Sequence, residues 1–283
     1  MVRVIEARLR LPIFSIKHPE AFQVRATLPL PQPSTVIGML AYCLGVIKDV
    51  GTTAGEIVRK WVDEGILMAA RASLTTSVPP LALSTIVLRR FRVADKAYLY
   101  KESETGLKYV EAIKEAIGRR DFRRVKSILE TDLTDAFYRE YITGYEIKCV
   151  WAFSEDVEFQ PEWVRLIHRL GDTESLCTVL EVKEVEGEIV EGDVVETIFP
   201  TCYMKVRSVE GSYIMVKMCD ESFFHQRREG PKMFICPCRT RVERVKGKVI
   251  PLIEPSKVKI EYEEPMRIIR TYSGEEITAY TPV

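Results

Sequence analysis

The segment Val36–Ile47 reads VIGMLAYCLGVI, with no charged residue along it. A helix that is apolar on every side must be covered on most of them. This one is too short to span a bilayer, so other parts of a folded chain have to wrap it. The 283 residues are enough for one large domain or two modest ones. Ahead of it, FSIKHPEAFQVRATLPLPQP holds four prolines after residue 18, which bar regular helix. Ser34 stands where an N-cap belongs. Earlier still, Ile5, Ala7, Leu9 and Leu11 alternate with Glu6, Arg8 and Arg10, the pattern of a half-buried strand with one charged face.

Further on, Thr53 and Glu56 form a T-x-x-E capping box before Ile57, Val58, Trp61 and Val62, and Gly65 ends that helix. Leu67–Val78 and Ser84–Val93 read as strands about the Pro79-Pro80 turn region. In the second, Arg90 and Arg92 share one face and Arg89 and Phe91 the other. Residues 95–142 read as helices, with Asp121 capping the second of them. Tyr145, Ile147, Cys149, Trp151 and Phe153 alternate as a core strand. Pro161 opens a helix, PEWVRLIHRL, that Gly171 closes. Short strands follow from 176, with VRSVEGSYIMV (206–216) expected as a hairpin about Glu210-Gly211. This order predicts an α+β fold: a ferredoxin-like (RRM-like) βαββαβ domain over residues 1–170 and a β-rich part over 171–283.

Lys and Arg together number 41, as do Asp and Glu, so no whole-protein field draws the chain to nucleic acid. The balance hides segregation. Residues 1–48 hold six basic against two acidic side chains, 86–130 twelve against seven, 172–196 one against nine, and 205–248 eleven against five. Such runs form either solvated faces or a basic groove for a polyanion with an acidic side turned away. Asn is absent and Gln occurs four times, the bias of a thermophile. Seven scattered cysteines fit reduced core thiols, and Cys236-Pro237-Cys238 alone lacks the second pair or histidine that zinc needs. No metal or cofactor is expected. Nothing at the start of the chain marks it for export, so a cytoplasmic protein without membrane contact is expected. Phosphate-loop, dinucleotide-binding, nucleophile-elbow and H-E-x-x-H motifs are all missing. Of the three histidines, His168 beside Trp163 and Ile167 reads as structural and His225 as a surface residue. His18 follows Lys17, and such a pair can activate a ribose 2′-OH or hold a phosphate.

Residues 8–40, RLRLPIFSIKHPEAFQVRATLPLPQPSTVIGML, form a strand, a loop, and a proline run feeding a helix that starts with an aliphatic-Gly pair. This pattern resembles the start of the CRISPR-associated Cas five family, RAMP-type subunits of the type I Cascade surveillance complex. HRLGDTESLCTV (168–179) resembles that family's later R-x-x-G-x-x-E-S segment. The helical insertion and the Arg/Lys/Glu content look most like the archaeal type I-A branch. Resemblance of order and motif covers about residues 1–180. It implies an RRM-like domain gripping the repeat-derived 5′ handle of the CRISPR RNA (crRNA). It also implies a thumb hairpin inserted between the second and third strands, here about Ser77 to Arg92, with the 95–142 helices attached. The implied partners are the crRNA 5′ handle, the Cascade backbone subunit (Cas seven family), the large subunit and, indirectly, target DNA.

On that reading the RNA-binding residues are Lys17, His18 and Arg25 in the entry loop, Ser34 and Thr35 at the helix start, Arg89, Arg90 and Arg92 on the thumb strand, and Arg169. A helix N-terminus suits phosphate, and arginine can fork onto phosphate or stack on an unpaired base. Ser34 serves equally as an ordinary N-cap. Arg89, Arg90 and Arg92 suit a protein interface as well as RNA. Arg169 with Glu174-Ser175 fits a structural turn as readily as a site. Three functions follow. The favoured one is a non-catalytic RNA-binding scaffold that anchors the handle and caps the backbone. The second is a metal-independent endoribonuclease processing precursor crRNA, as in the type I-C branch, with Lys17 and His18 as catalytic residues. The third is a purely structural subunit whose basic strips face protein neighbours.

Overall fold

The computed structural model describes residues 1–19, 24–25, 27–76, 86–91, 104–132, 134–171, 175–224, 230–245 and 247–280. The strands are β1 (Val2–Phe14), β2 (Val24–Arg25), β3 (Leu67–Leu74), β4 (Ile86–Phe91), β5 (Thr134–Arg139), β6 (Ile142–Phe153), β7 (Thr178–Thr197) and β8 (Thr201–Cys202). They continue with β9 (Val206–Gly211), β10 (Ile214–Met218), β11 (Lys232–Cys236), β12 (Cys238–Val245), β13 (Lys248–Pro255), β14 (Val258–Thr271) and β15 (Glu276–Thr278). The helices are α1 (Pro33–Lys48), α2 (Thr53–Asp63), α3 (Glu104–Gly118) and α4 (Phe122–Ser127). Two compact units result, one of Met1–Ala21, Ala26–Ser84 and Tyr141–Val283, the other of Phe22–Arg25 and Thr85–Glu140. The fold is mixed α/β with antiparallel sheets. Among the described residues no helix is long and apolar enough to cross a membrane.

The first unit is built on an antiparallel sheet of order β15-β14-β7-β1-β6-β3, with β9 also along β14. Strand β7 hydrogen-bonds along β1, so strands from before and after residue 170 share this sheet. Ile5, Ala7, Leu9 and Leu11 lie in one core with Val36, Ile37 and Leu40 of α1 and with Trp151 of β6. The indole N–H of Trp151 donates to the carbonyl of Val36 at 2.8 Å, which pins helix to sheet inside the core. Only Tyr42, Val46 and Ile47 of the apolar helix stay exposed. On the other sheet face, Val2 and Val4 pack with Val150, Ala152, Phe199, Ile269 and Ile277.

That second face departs from the simple charged side expected of β1. Arg8 and Arg10 are exposed, but Glu6 is 2% exposed. Its carboxylate meets the ammonium groups of Lys148 at 3.0 Å and Lys183 at 2.9 Å. Burial pushes the Glu6 carboxyl up, yet the hydrogen bonds from Lys183 and Lys148 outweigh it and hold the group below the ordinary carboxylate range.

A second buried pair lies farther along this unit. The Arg71 guanidinium donates to Pro200 O at 3.0 Å and Ala70 O at 3.1 Å, pairs with the Glu221 carboxylate, and sits 5.7 Å from the Phe234 ring centroid. Burial pulls Arg71 down to about 10, still well above neutral pH. Neighbouring Asp220 is held by Lys232 at 2.9 Å.

Several expectations change. Within 95–142 the helices stop at Ser127, a π-helical turn spans Ile128–Asp132, and Thr134–Arg139 is a strand. Its partner is β4; pairing across the insertion overrides local helix propensity. The stretch 206–216 makes no hairpin. Strand β9 spends its bonds on β14 and β10 spends its bonds on β11. Gly211 has φ +109°, and a Cβ there would lie 2.7 Å from the Lys257 carbonyl, so the glycine serves the β14 contact. Past Leu166 the expected helix gives way to extended chain, because residues 168–170 pair with 175–177. Asp121 caps α4 as expected, its carboxylate accepting from the Arg124 N–H at 3.0 Å, but the caps expected at Ser34 and Thr53 do not form. Helix α1 starts at Pro33 after Gln32, α2 follows Thr52, and neither has a side-chain cap bond.

Two stability predictions follow. Arg71→Met strands a buried carboxylate and should cost about 3–5 kcal/mol, most of it recovered in the Arg71→Met/Glu221→Leu double variant; chemical denaturation of the four corners of that cycle checks it. Glu6→Gln should cost about 2 kcal/mol at neutral pH. The Glu6 pairing is fully present above its ordinary value near 4.5 and is lost as pH falls through the lower folded value. Melting temperature against pH should therefore fall less steeply for Glu6→Gln than for the parent in that acid window.

Candidate nucleic-acid interface

Past Phe14, strand β1 runs on as Ser15-Ile16-Lys17-His18. The Ile16 N–H donates to Thr27 Oγ1 at 3.0 Å, the Leu28 N–H to Ile16 O at 3.0 Å, and Lys17 bridges to Thr27. A second segment closes on the same place. The Leu170 N–H donates to Ser175 O and the Cys177 N–H to His168 O, both at 3.0 Å, with Arg169 bridged to Leu176. The buried Ser175 hydroxyl then takes both backbone groups of Ser15. It accepts from the Ser15 N–H at 2.9 Å and donates to the Ser15 carbonyl at 3.1 Å. Gly171 has φ +100°, and a Cβ there would lie 2.7 Å from Ser15 O. Only glycine satisfies both the backbone angle and the approach.

The two sequence motifs are therefore one physical feature, a clasp between the chain just past β1 and the paired segments 168–171 and 175–177. It carries Lys17 and Arg169 exposed and His18 half-buried. Nearby on the turn, His168 Nδ1 lies 3.1 Å from the Tyr42 hydroxyl, with the rings edge-on at 5.5 Å. His168 is thus tied to α1, although it does not lie on a helix. Glu174 lies outside the described residues, so the expected Arg169–Glu174 relation does too.

Ser34 and Thr35 sit elsewhere. The Ser34 N–H donates to Cys219 O at 3.2 Å, while Gln32 Oε1 accepts from the Cys219 N–H at 3.0 Å. The Thr35 and Val36 N–H groups turn back to Gln32 O. Ser34 is buried, and this helix start is knitted into its own unit, so the expected phosphate seat at Ser34 is not offered. Arg25, Arg89 and Arg90 belong to the second unit, in the three-stranded sheet β2-β5-β4. Arg25 is in register with Arg139, Arg89 with Ala136 and Arg90 with Asp135. Arg92 and the 77–85 part of the expected thumb lie outside the described residues.

The sequence reading passed over the sheet face opposite α1. A cavity of about 180 Å³ there is lined by Glu6, Arg8, Thr75, Lys148, Glu181 and Lys183. Beside it Arg10 forks onto Glu146 at 2.7 and 2.8 Å. The alternation of β1 already named Arg8 and Arg10, but Lys148 and Lys183 join them only through strand pairing. A second cavity, about 280 Å³, is lined by Arg71, Asp220, Glu221, Lys232, Phe234 and other side chains. On the sheet face Lys148 and Lys183 are held by Glu6 and Arg10 by Glu146, while Arg8 is exposed; among the described residues no group of three or more His, Cys, Asp or Glu is placed to hold a metal ion. The thiols of Cys43 and Cys238 are pushed up to about 12 by burial, which removes them as nucleophiles.

A family model described as CRISPR-associated protein (Cas_Cas5) matches residues 4–140. A CRISPR-associated protein Cas5 of Thermoproteus tenax is 28% identical over 221 residues, 77% of this chain and 79% of the relative. One from Methanocaldococcus jannaschii is 28% identical over 194 residues, 66% of this chain and 65% of the relative. The crystal structure of a CRISPR protein from Archaeoglobus fulgidus superposes with a TM-score of 0.51 at 14% identity, covering 99% of this chain and 100% of that one; that likeness is one of fold. With both sequence motifs meeting in the clasp and the family model spanning the first of them, the chain is similar to the CRISPR-associated Cas5 family over residues 4–140 and to curated Cas5 proteins over most of its length.

Proposed function

We propose that this chain is a non-catalytic RNA-binding subunit of a type I Cascade surveillance complex, of the type I-A branch, in the cytoplasm of a thermophile. It anchors the 5′ handle of the crRNA, caps the backbone beside a Cas seven family subunit, and adjoins the large subunit, so that it meets target DNA only through the complex. The clasp carries this reading: one buried serine and one glycine hold the Lys17-His18 and Arg169 segments together. Similarity to CRISPR-associated Cas5 proteins supports it. The order β7-β1-β6-β3, with α1 and α2 between β1 and β3 and the short helical turn at Pro161–Leu166 between β6 and β7, supports reading this core as the ferredoxin-like, RRM-like module. In such a module the sheet face opposite the helices is a nucleic-acid platform, and here that face carries Arg8, Arg10, Lys148 and Lys183. The β4–β5 insertion takes the place of the thumb.

The endoribonuclease alternative keeps Lys17 and His18 as its catalytic pair, and one experiment separates the two. Purified chain is incubated without metal at elevated temperature with end-labelled repeat RNA, and each sample is split between native and denaturing gels. The scaffold reading expects a mobility shift with intact RNA. Discrete cleavage leaving a short 5′ handle, abolished by His18→Ala, would overturn it. Lys17→Ala and Arg169→Ala should each weaken binding about fivefold to tenfold and lower the salt slope by about 0.7 per lost phosphate contact.

The clasp makes its own prediction. Ser175→Ala should cost about 1–3 kcal/mol by leaving the Ser15 backbone unsatisfied, and Gly171→Ala should cost about 2 kcal/mol or more through its left-handed φ and the carbonyl clash. Both variants should lose RNA affinity beyond what their melting temperatures explain.

A further inference from the structure

The cavity of about 280 Å³ beside Arg71 shares no lining residue with the clasp or with the cavity on the open sheet face. Its wall comes from distant parts of the first unit. Arg71 lies on β3, Phe234 on β11, Met266 on β14 and Thr278 on β15, while Asp220 and Glu221 follow β10. The charges in that wall are balanced. Arg71 pairs with Glu221, Lys232 meets Asp220 at 2.9 Å, and exposed Lys205 pairs with Glu264. The cavity therefore has no net charge with which to draw in an anion or a cation.

Hydrogen bonding in it is not balanced. Glu221 is 0% exposed; its Oε1 is taken by Arg71, and its Oε2 accepts from no donor among the described residues. On the guanidinium, Nε donates to Pro200 O and Nη1 to Ala70 O and Glu221, while Nη2 has no acceptor among the described residues. The other polar groups of the floor are engaged. Asp220 accepts from Lys232 and from the Ser222 N–H at 3.1 Å, and Thr278 Oγ1 lies 3.1 Å from the Tyr262 hydroxyl. One ion pair is thus left with one vacant acceptor and one vacant donor. A buried carboxylate oxygen without a donor is costly, and a ligand that supplies the donor removes that cost.

We infer that this cavity binds a neutral, flat heterocycle with a lactam edge of the uracil type. Its ring N–H donates to Glu221 Oε2, and its adjacent carbonyl accepts from Arg71 Nη2. Phe234, Met204, Met266 and Ala279 give the ring apolar walls, and an apolar lining with a few convergent polar groups is how such rings are held. The volume suits one ring system, below the range of drug-sized ligands. Uracil and hypoxanthine present this edge. Cytosine and adenine would set an unprotonated ring nitrogen against the carboxylate, acceptor facing acceptor. Guanine brings two adjacent donors where one oxygen is vacant. A free nucleoside and an unpaired RNA base carry the same edge. The site is separate from the clasp and does not depend on the RNA reading.

Calorimetric and saturation-transfer NMR titrations of the full chain with uridine, N3-methyluridine and cytidine test it. Uridine should bind. N3-methyluridine, which lacks the ring N–H, and cytidine, which has an acceptor in its place, should each bind at least about tenfold more weakly. The Arg71→Met/Glu221→Leu variant, which replaces both members of the buried pair and so keeps most of the stability, should lose uridine binding by a similar factor. Equal binding of uridine and N3-methyluridine would overturn the proposal, and that comparison needs no variant to fold. Absence of uridine binding, or binding undiminished in the double variant, would overturn it too. Repeat RNA added to the uridine complex separates the sources: displacement of uridine assigns the cavity to an RNA base, and uridine retained beside bound RNA assigns it to a free nucleoside. Failure of repeat RNA to bind at all would count against the RNA reading and leave the uridine comparison standing.

Discussion

Strand β1 has a hydrogen-bonded neighbour on each side, and both of its faces are used. Ile5, Ala7, Leu9 and Leu11 lie under α1, while Val2, Val4 and Glu6 lie on the opposite face. A slip of one residue would turn the apolar set outward and put Glu6 and Arg8 against the helix. That penalty holds the register with β6 and β7, and with it the point where β1 ends. Ser15 therefore reaches Ser175 at hydrogen-bond distance, and the Lys17-His18 and Arg169 segments close on each other. The clasp depends on the core strand that delivers it.

The charge segregation resolves in the same way. Part of the acidic stretch is paired within the fold. Most of it is β7, and its neighbours supply the opposite charge. Glu184 meets Arg3 at 2.8 Å and Glu196 meets Lys257 at 2.7 Å. In the β7–β14 ladder Glu188 is in register with Arg270 and Glu191 with Arg267. Cross-strand pairs of this kind contribute a few tenths of a kcal/mol each, so their main effect is to favour one register. At the clasp, by contrast, Lys17 and Arg169 stay exposed.

Legibility followed the range of the interactions. The alternation of β1 and of Tyr145–Phe153, the apolar helix, and the two motifs could be read from the chain because each is a local pattern. The strand at Thr134–Arg139 could not be, since its partner lies more than forty residues earlier and nothing local marks a strand whose pairing crosses two helices. The 206–216 hairpin misled for the same reason. A glycine between two alternating runs suggests a turn, but Gly211 is needed for close approach to Lys257. Ser34 looked like a cap and a phosphate seat because caps are read from residue type, while the partner that takes its N–H, Cys219, comes from far along the chain.

By itself the sequence determined which segments must be buried, where the two family motifs lie, and that Lys17, His18 and Arg169 accompany them. Those properties reside in periodicity and residue chemistry, which survive without coordinates. Tertiary structure decided that the motifs meet and that Glu6 is buried between two lysines. It also decided that the cations of β1 share a face with Lys148 and Lys183. Each of these is a pairing between residues distant in the chain, and strand register, which no single segment encodes, chooses the partners.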